Sequence, residues 1–508
     1  MQAETVTAES REWRRAAAPA LGAAAVVGIP AVLLRPETMP ASTAVLAILI
    51  ASLGLVPLAH FLARPAADRP AFPLFVLTGA FYAVFFGLSA FTAELLREPD
   101  TGRIAVYGWT WIDGIGATTQ IAIVAGLVSM IATYAAARRP LLRLPRFTLP
   151  AGLDNRRARL AFWAFLAAHL AYAAVPALRG IASIGQLLQP AGFLAFAGFY
   201  ILWRRRELGG VEASLVLLAL LVDLAFVLRS TSTLPIVLMA TMFLALEWAL
   251  KGRLLWVCML VVLISMPPLY MAAQIVRAPL WMAQTNVGLA DVPMVLFKTV
   301  RHWAQGKGAA PSAAPGDAQW TRVLGASNTP GMMVERLRVS HISLARRINH
   351  AALMEEVVRS TPERVPYWRG ETYRPLLTSW IPRFLWPGKP REETGWTFGR
   401  RYEILKADDP PQSINLPWMI EMYANFGGPG VVLGMGIVGV LFAFLEGFLS
   451  RSSMAPAEIA AGTAVVLPLF MQDSNFSLMT GSVVLLILAF WIALAAASKI
   501  PLPPARAP

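Results

Sequence analysis

Cysteine is nearly absent: Cys258 stands alone in 508 residues. No intrachain disulfide can form, and one thiol carries no information about redox compartment. Histidine is scarce too. His60, His169, His302, His341 and His350 include no pair at the i,i+4 spacing of a helical zinc motif, and no cysteine pair supplements them. We read no zinc site and no cofactor, which leaves open a divalent ion carried on a substrate phosphate. His341 and His350, nine apart, are expected on opposite sides of one helix. No Gly-x-Ser-x-Gly elbow and no P-loop occur, which argues against a serine hydrolase and a cytoplasmic ATPase. The first residues, MQAETVTAESREWRR, lack the order of a cleaved leader, so the first apolar segment is expected to stay in place. Charge is thin as well. Charged residues make up 15%, against about 25% in soluble proteins.

What is abundant is apolar. Hydrophobic residues make up 56% of the chain, and runs of about 20 recur, each long enough to cross a hydrocarbon core. The pattern predicts an all-α polytopic membrane protein; the short alternating strands of a β-barrel are not found. Twelve spans are expected, at 16–34, 41–63, 72–93, 115–137, 160–178, 188–203, 211–228, 231–250, 254–272, 428–449, 457–475 and 478–498. The net charge of +14 fits basic cytoplasmic loops better than a nucleic-acid partner. Arginines cluster before span one and after spans two, four, six and eight, all on one side, which we assign to the cytoplasm. Both termini then lie inside. The chain divides into a nine-span bundle (1–272), a large periplasmic loop (273–427), three C-terminal spans (428–498) and a short cytoplasmic tail (499–508).

The outer segment 273–413 holds 19 Lys and Arg against 12 Asp and Glu. That excess is either an ordinary solvated face or an anion site. Within it, 302–330 is rich in Gly, Ala, Ser and Pro and is expected to be loop. From Met332 to Arg359 apolar residues recur at helical spacing, which predicts an amphipathic helix with Arg338 and His341 as neighbours. Gly434 to Gly439, GMGIVG, matches a dinucleotide fingerprint in letters only; inside an apolar span it reads as close helix packing.

Three stretches carry candidate chemistry. The turn 228–233, LRSTST, opens a membrane helix, where free N–H groups and Arg229 suit phosphate; plain capping and a snorkelling arginine are the alternative. Asp223, expected inside the membrane, would pair with Arg229. The stretch PYWRGETYRPLLTSWIPRFLWPGKPREETGW, from Pro366, brings Arg369, Glu371, Tyr373, Arg374, Arg383 and Lys389 among tryptophans and prolines. It reads as a basic pocket with aromatic platforms or as an interfacial belt. EMYANFGGPG places Glu421, Tyr423 and Asn425 where the loop enters a span. It reads as a site for a general base or as a junction with an incidental carboxylate.

With these motifs the chain resembles the O-antigen polymerase (Wzy-type) family. The resemblance rests on GETYRPLLTSWIPRFLWPGKP, on EMYANFGGPG, and on many spans around one large outer loop. It implies a lipid-linked sugar polymerase or ligase architecture, resembling GT-C, in the bacterial inner membrane. It also implies a glycosyltransferase that polymerises undecaprenyl-pyrophosphate-linked oligosaccharide repeats at the periplasmic face, in contact with membrane lipid. A chain-length-regulating membrane protein is an implied partner. Carried over by position, Arg369, Arg374 and Arg383 match the loop motif, and Glu421, Tyr423 and Asn425 the loop-to-helix motif. Fixed cations stabilise a departing diphosphate, so Arg229, Arg338, Arg369, Arg374 and Arg383 are expected on the pyrophosphate. Glu421 or His341 would take the acceptor proton. Two other readings stand beside it: a ligase passing the chain to lipid A-core, and a flippase, whose paired repeats with polar mid-membrane residues are not evident.

Overall fold

The computed structural model describes residues 26, 28–65, 68–107, 110–229, 234–251, 330–406 and 413–501, with isolated helical positions at 294, 297 and 301. The expected span at 254–272, most of that at 16–34, the turn residues 230–233, Cys258, His302 and the stretch 302–329 lie outside the described residues.

The described chain is mostly helical, and seven of its helices are long and apolar enough to cross a membrane. Backbone polar groups in lipid must bond within their own segment, which selects helices for such runs. The first is α1 (Ala41–Ala63), followed by α2 (Leu74–Leu96), whose middle turns, Ala83–Leu88, are π-helical. Next comes a short antiparallel hairpin, β1 (Ile104–Tyr107) with β2 (Thr110–Ile112). These are the only strands among the described residues, a small departure from the all-helical expectation. Then follow α3 (Ala117–Leu142), α4 (Asn155–Ala174), α5 (Gly185–Arg204), α6 (Gly210–Arg229) and α7 (Leu234–Lys251).

Beyond the undescribed stretch lie α8 (Pro330–Ile348), α9 (His350–Ser360), α10 (Thr394–Arg401) and α11 (Trp418–Leu449). The last two are α12 (Pro456–Phe470) and α13 (Phe476–Ala497). The seven long apolar helices are α1, α2, α3, α5, α6, α11 and α13. Three other expected spans are helical without meeting that test. α7 and α12 are shorter, and α4 begins with Arg156, Arg157 and Arg159 in its first turns.

α3 and α11 form the central pair. A Cβ at Gly439 would stand 2.3 Å from the Met130 carbonyl oxygen, so the glycines of GMGIVG serve close packing. Ser129 Oγ donates to Val432 O at 2.7 Å and Thr133 Oγ1 to Gly436 O at 2.8 Å. Small residues with interhelical hydrogen bonds hold membrane helices where apolar burial gives little drive.

Two expectations about the outer loop need correction. The single helix over 332–359 is two helices, broken at Asn349 (φ −80°, ψ 55°). His341 and His350 therefore sit on separate helices. α8 leans on the C-terminal half of α2, while α9 is driven in among α2, α3, α11 and the hairpin. Second, residues 420–426 are not loop. They are already helical within α11, which breaks only at Gly427 (φ 67°, ψ −156°). The boundary between outer region and span falls inside a helix.

Candidate functional site

The site grows from the break in α11. In an unbroken helix the carbonyls of Ala424 and Asn425 would accept from residues 428 and 429. Gly427 turns the chain away, and Pro429 has no N–H to give. Both carbonyls are satisfied by the arginine-rich loop instead: Trp368 N–H donates to Ala424 O at 3.1 Å and Arg369 N–H to Asn425 O at 3.2 Å. Arg369 (φ 51°) and Gly370 (φ 86°) are both left-handed, and this bend delivers the Gly370 N–H to Asn425 Oδ1 at 2.8 Å. Asn425, fully buried, spends its amide on Thr372 Oγ1 and Glu421 O, each at 2.8 Å. The loop motif and the helix motif are thus one hydrogen-bonded unit.

Glu421 lies one turn up the helix, fully buried. Its Oε2 accepts the Phe476 N–H, at the start of α13, at 2.6 Å. Its Oε1 has no hydrogen-bond partner among the described residues; the Thr372 hydroxyl neighbours the carboxyl without closing a bond to that oxygen. Tyr373 covers this region, stacked on Phe426 and edge-on to Phe476. Burial first, and then the Glu421 charge, push its phenol above the ordinary value, so it remains a donor. A second carboxylate, Glu392, accepts from Asn475 Nδ2 and Ser477 Oγ at 2.5 Å each. A buried acid with a free oxygen can take a proton from a bound hydroxyl.

The cations divide into two groups. Arg369 and Arg374 are exposed, and neither guanidinium has a hydrogen-bond or ion-pair partner among the described residues. Arg391, of the same stretch, is in the same condition. Arg383 and Lys389 differ. Arg383 donates to the Lys389 carbonyl and to Pro390 O at 2.6 Å. Lys389 Nζ donates to Ile381 O at 3.0 Å and Ser379 O at 3.2 Å. Burial, then the Arg383 charge, holds the Lys389 ammonium below the ordinary lysine range, with Glu392 opposing. Both side chains clamp the proline-rich turn; Arg383, expected on the pyrophosphate, spends its guanidinium on the carbonyls of 389 and 390. Glu371 is paired with Arg401 at 3.2 Å, and Arg401 lies 4.3 Å from the Trp368 ring centroid. Tyr423 is half-buried on α11 beside Tyr367.

Other expected residues are placed elsewhere. Arg338 and His341 lie on exposed turns of α8; Arg338 meets Glu335 at 3.6 Å and His341 Nδ1 donates to Leu337 O at 2.6 Å. Neither joins the hydrogen bonds described around Glu421. Arg229 ends α6, and its side chain lies outside the described residues. Asp223 is paired with His169 of α4 at 2.8 Å. Sequence reasoning also missed His350, whose Nε2 lies 2.8 Å from Asp473 Oδ1 while Asn415 Nδ2 holds the other oxygen at 2.7 Å. The pair spans 123 positions, and no local pattern encodes it. Among the described residues no cluster of three or more His, Cys, Asp or Glu is placed to hold a metal ion. No family model, curated protein or solved structure matches this chain.

Proposed function

We propose that this membrane-embedded chain is a glycosyltransferase that polymerises oligosaccharide repeats carried on a lipid diphosphate, of the undecaprenyl class, at the periplasmic face of a bacterial inner membrane. One observation carries the reading. Two unpaired guanidinium groups, Arg369 and Arg374, sit on a loop hydrogen-bonded to the helix that buries Glu421 with one carboxylate oxygen free.

In this reaction an acceptor hydroxyl oxygen attacks the anomeric carbon of the donor sugar. The bond from that carbon to the diphosphate oxygen breaks, and the diphosphate leaves with the electron pair. The hydroxyl proton passes to Glu421. Arg369 and Arg374 balance the charge that gathers on the leaving group, a role in which preorganised cations are worth most because they need not reorganise. Tyr373 and the aromatic stretch around it offer flat faces to sugar rings.

The test is direct. Purified protein reconstituted in lipid is given lipid-diphosphate-linked repeats and nothing else. A ladder of product lengths supports polymerisation. Product that forms only once a lipid A-core acceptor is added assigns the chain to ligation instead. No glycosidic product under either condition rejects the transferase reading.

A further inference from the structure

The other end of the bundle holds a second constellation, independent of the transferase reading. Glu446 lies 19 residues past the break at Gly427, roughly 28 Å of helix at about 1.5 Å per residue, close to the roughly 30 Å of a hydrocarbon core. There the ends of α1, α3 and α11 enclose a cavity of about 330 Å³ lined by Arg64, Arg69, Arg138, Arg139 and Arg451. Two carboxyl side chains, Asp68 and Glu446, share the lining. Five guanidinium groups against two carboxyls leave a formal +3.

Two of the heads are held through backbone carbonyls. Arg69 donates to Arg64 O and Leu62 O at 3.0 Å. Arg451 donates to Gly447 O at 2.5 Å and Leu144 O at 2.8 Å. Glu446 is turned inward, accepting from Phe75 N–H at 2.8 Å and from the Tyr134 hydroxyl. Arg64 is the telling residue. It is 4% exposed, and its Nε donates to His60 Nε2 at 3.0 Å. Arg64 lines the cavity, and its two terminal nitrogens have no hydrogen-bond partner among the described residues. Oxygens of a tetrahedral anion are the geometric match for a guanidinium fork.

We propose that this cavity binds a phosphate group, with the Arg64 fork as its centre. Basic pockets between membrane helices at the interface take lipid headgroups in the same way; a soluble phosphate offers the same chemistry. The experiment uses the full chain in nanodiscs of phosphatidylglycerol or phosphatidylcholine, followed by release into detergent and native mass spectrometry. Wild type should retain phosphatidylglycerol several-fold over phosphatidylcholine. Arg64→Gln should lose that preference. Asp68→Asn, which removes an exposed negative charge without breaking any side-chain hydrogen bond described, should strengthen it and decides the matter if Arg64→Gln does not fold. Displacement of the lipid by millimolar inorganic phosphate assigns the site to a soluble phosphate; retention assigns it to the headgroup. Equal retention of the two lipids by wild type without phosphate binding, or a preference that neither substitution changes, overturns the proposal.

Discussion

Asn425 Oδ1 accepts the Gly370 N–H at 2.8 Å across 55 positions of sequence. This bond, with the one from Asn425 Nδ2 to Thr372, holds the arginine-bearing loop against the broken helix. Asn425→Ala leaves the Gly370 N–H and the Thr372 hydroxyl without their partner, at roughly 1–3 kcal/mol for each buried group left unmade. We expect a lower unfolding temperature in detergent and loss of product together. An unchanged melting curve would show that the loop is held by other means.

Arg374 and Arg383 separate binding from scaffolding. The Arg374 guanidinium makes no hydrogen bond or ion pair among the described residues, so Arg374→Ala should leave expression and melting unchanged while product formation falls about 10²–10³-fold, the scale of losing one transition-state donor. Arg383→Ala removes the clamp on Lys389 O and Pro390 O and should expose 384–390 to limited proteolysis. Full activity in Arg374→Ala removes that residue from the site.

Seven of the twelve expected spans were legible because their apolar runs are long, and the GGPG junction was legible because Pro429 and its glycines leave few backbone options. The position of that junction was not. Nothing in YWRG announces that the loop would satisfy carbonyls at 424 and 425, so residues 420–426 read as loop. Local sequence also cannot tell a free arginine from a clamp: Arg374 and Arg383 look alike until the carbonyls of 389 and 390 are placed. The ion pair of Glu356 with Arg359 and Arg364, each at 2.5 Å, was missed although it is local, because apolar periodicity reports which face is buried and says nothing of a carboxylate buried on that face.

Gly427 is a position where only glycine fits. Its φ of 67° with ψ of −156° falls in a region essentially closed to other residues. A Cβ there would also stand 2.8 Å from the Tyr367 hydroxyl. Gly427→Ala should cost roughly 1–3 kcal/mol and shift the Glu421 turn relative to the span. Gly428→Ala, where a Cβ meets nothing within 4 Å, is the matched control and should be near neutral. Similar melting curves for the two variants would argue against the break.

Glu421→Gln keeps an oxygen for the Phe476 N–H and the volume of the side chain, and removes only the ability to take a proton. Fold and lipid-linked substrate retention should survive, and turnover should fall about 10²–10⁴-fold, the contribution of a positioned acid or base. Glu392→Gln behaves differently if Glu392 is a scaffold. Its carboxylate holds Asn475 and Ser477, so the loss should appear in stability before turnover. Glycosyl transfer undiminished in Glu421→Gln would place the base elsewhere.

The His169–Asp223 pair tests how the first half of the bundle is held. His169 Nδ1 lies 3.1 Å from Leu188 O, and a carbonyl only accepts, so that nitrogen carries a proton. His169 Nε2 lies 2.8 Å from Asp223 Oδ1, which ties α4 to α6. Removing one partner strands the other: Asp223→Ala should cost about 3 kcal/mol or more. The double variant His169→Leu with Asp223→Leu removes both polar groups and should recover most of that loss, read as melting temperature in detergent. A double variant no more stable than the single one would mean that the pair contributes something apolar packing cannot replace.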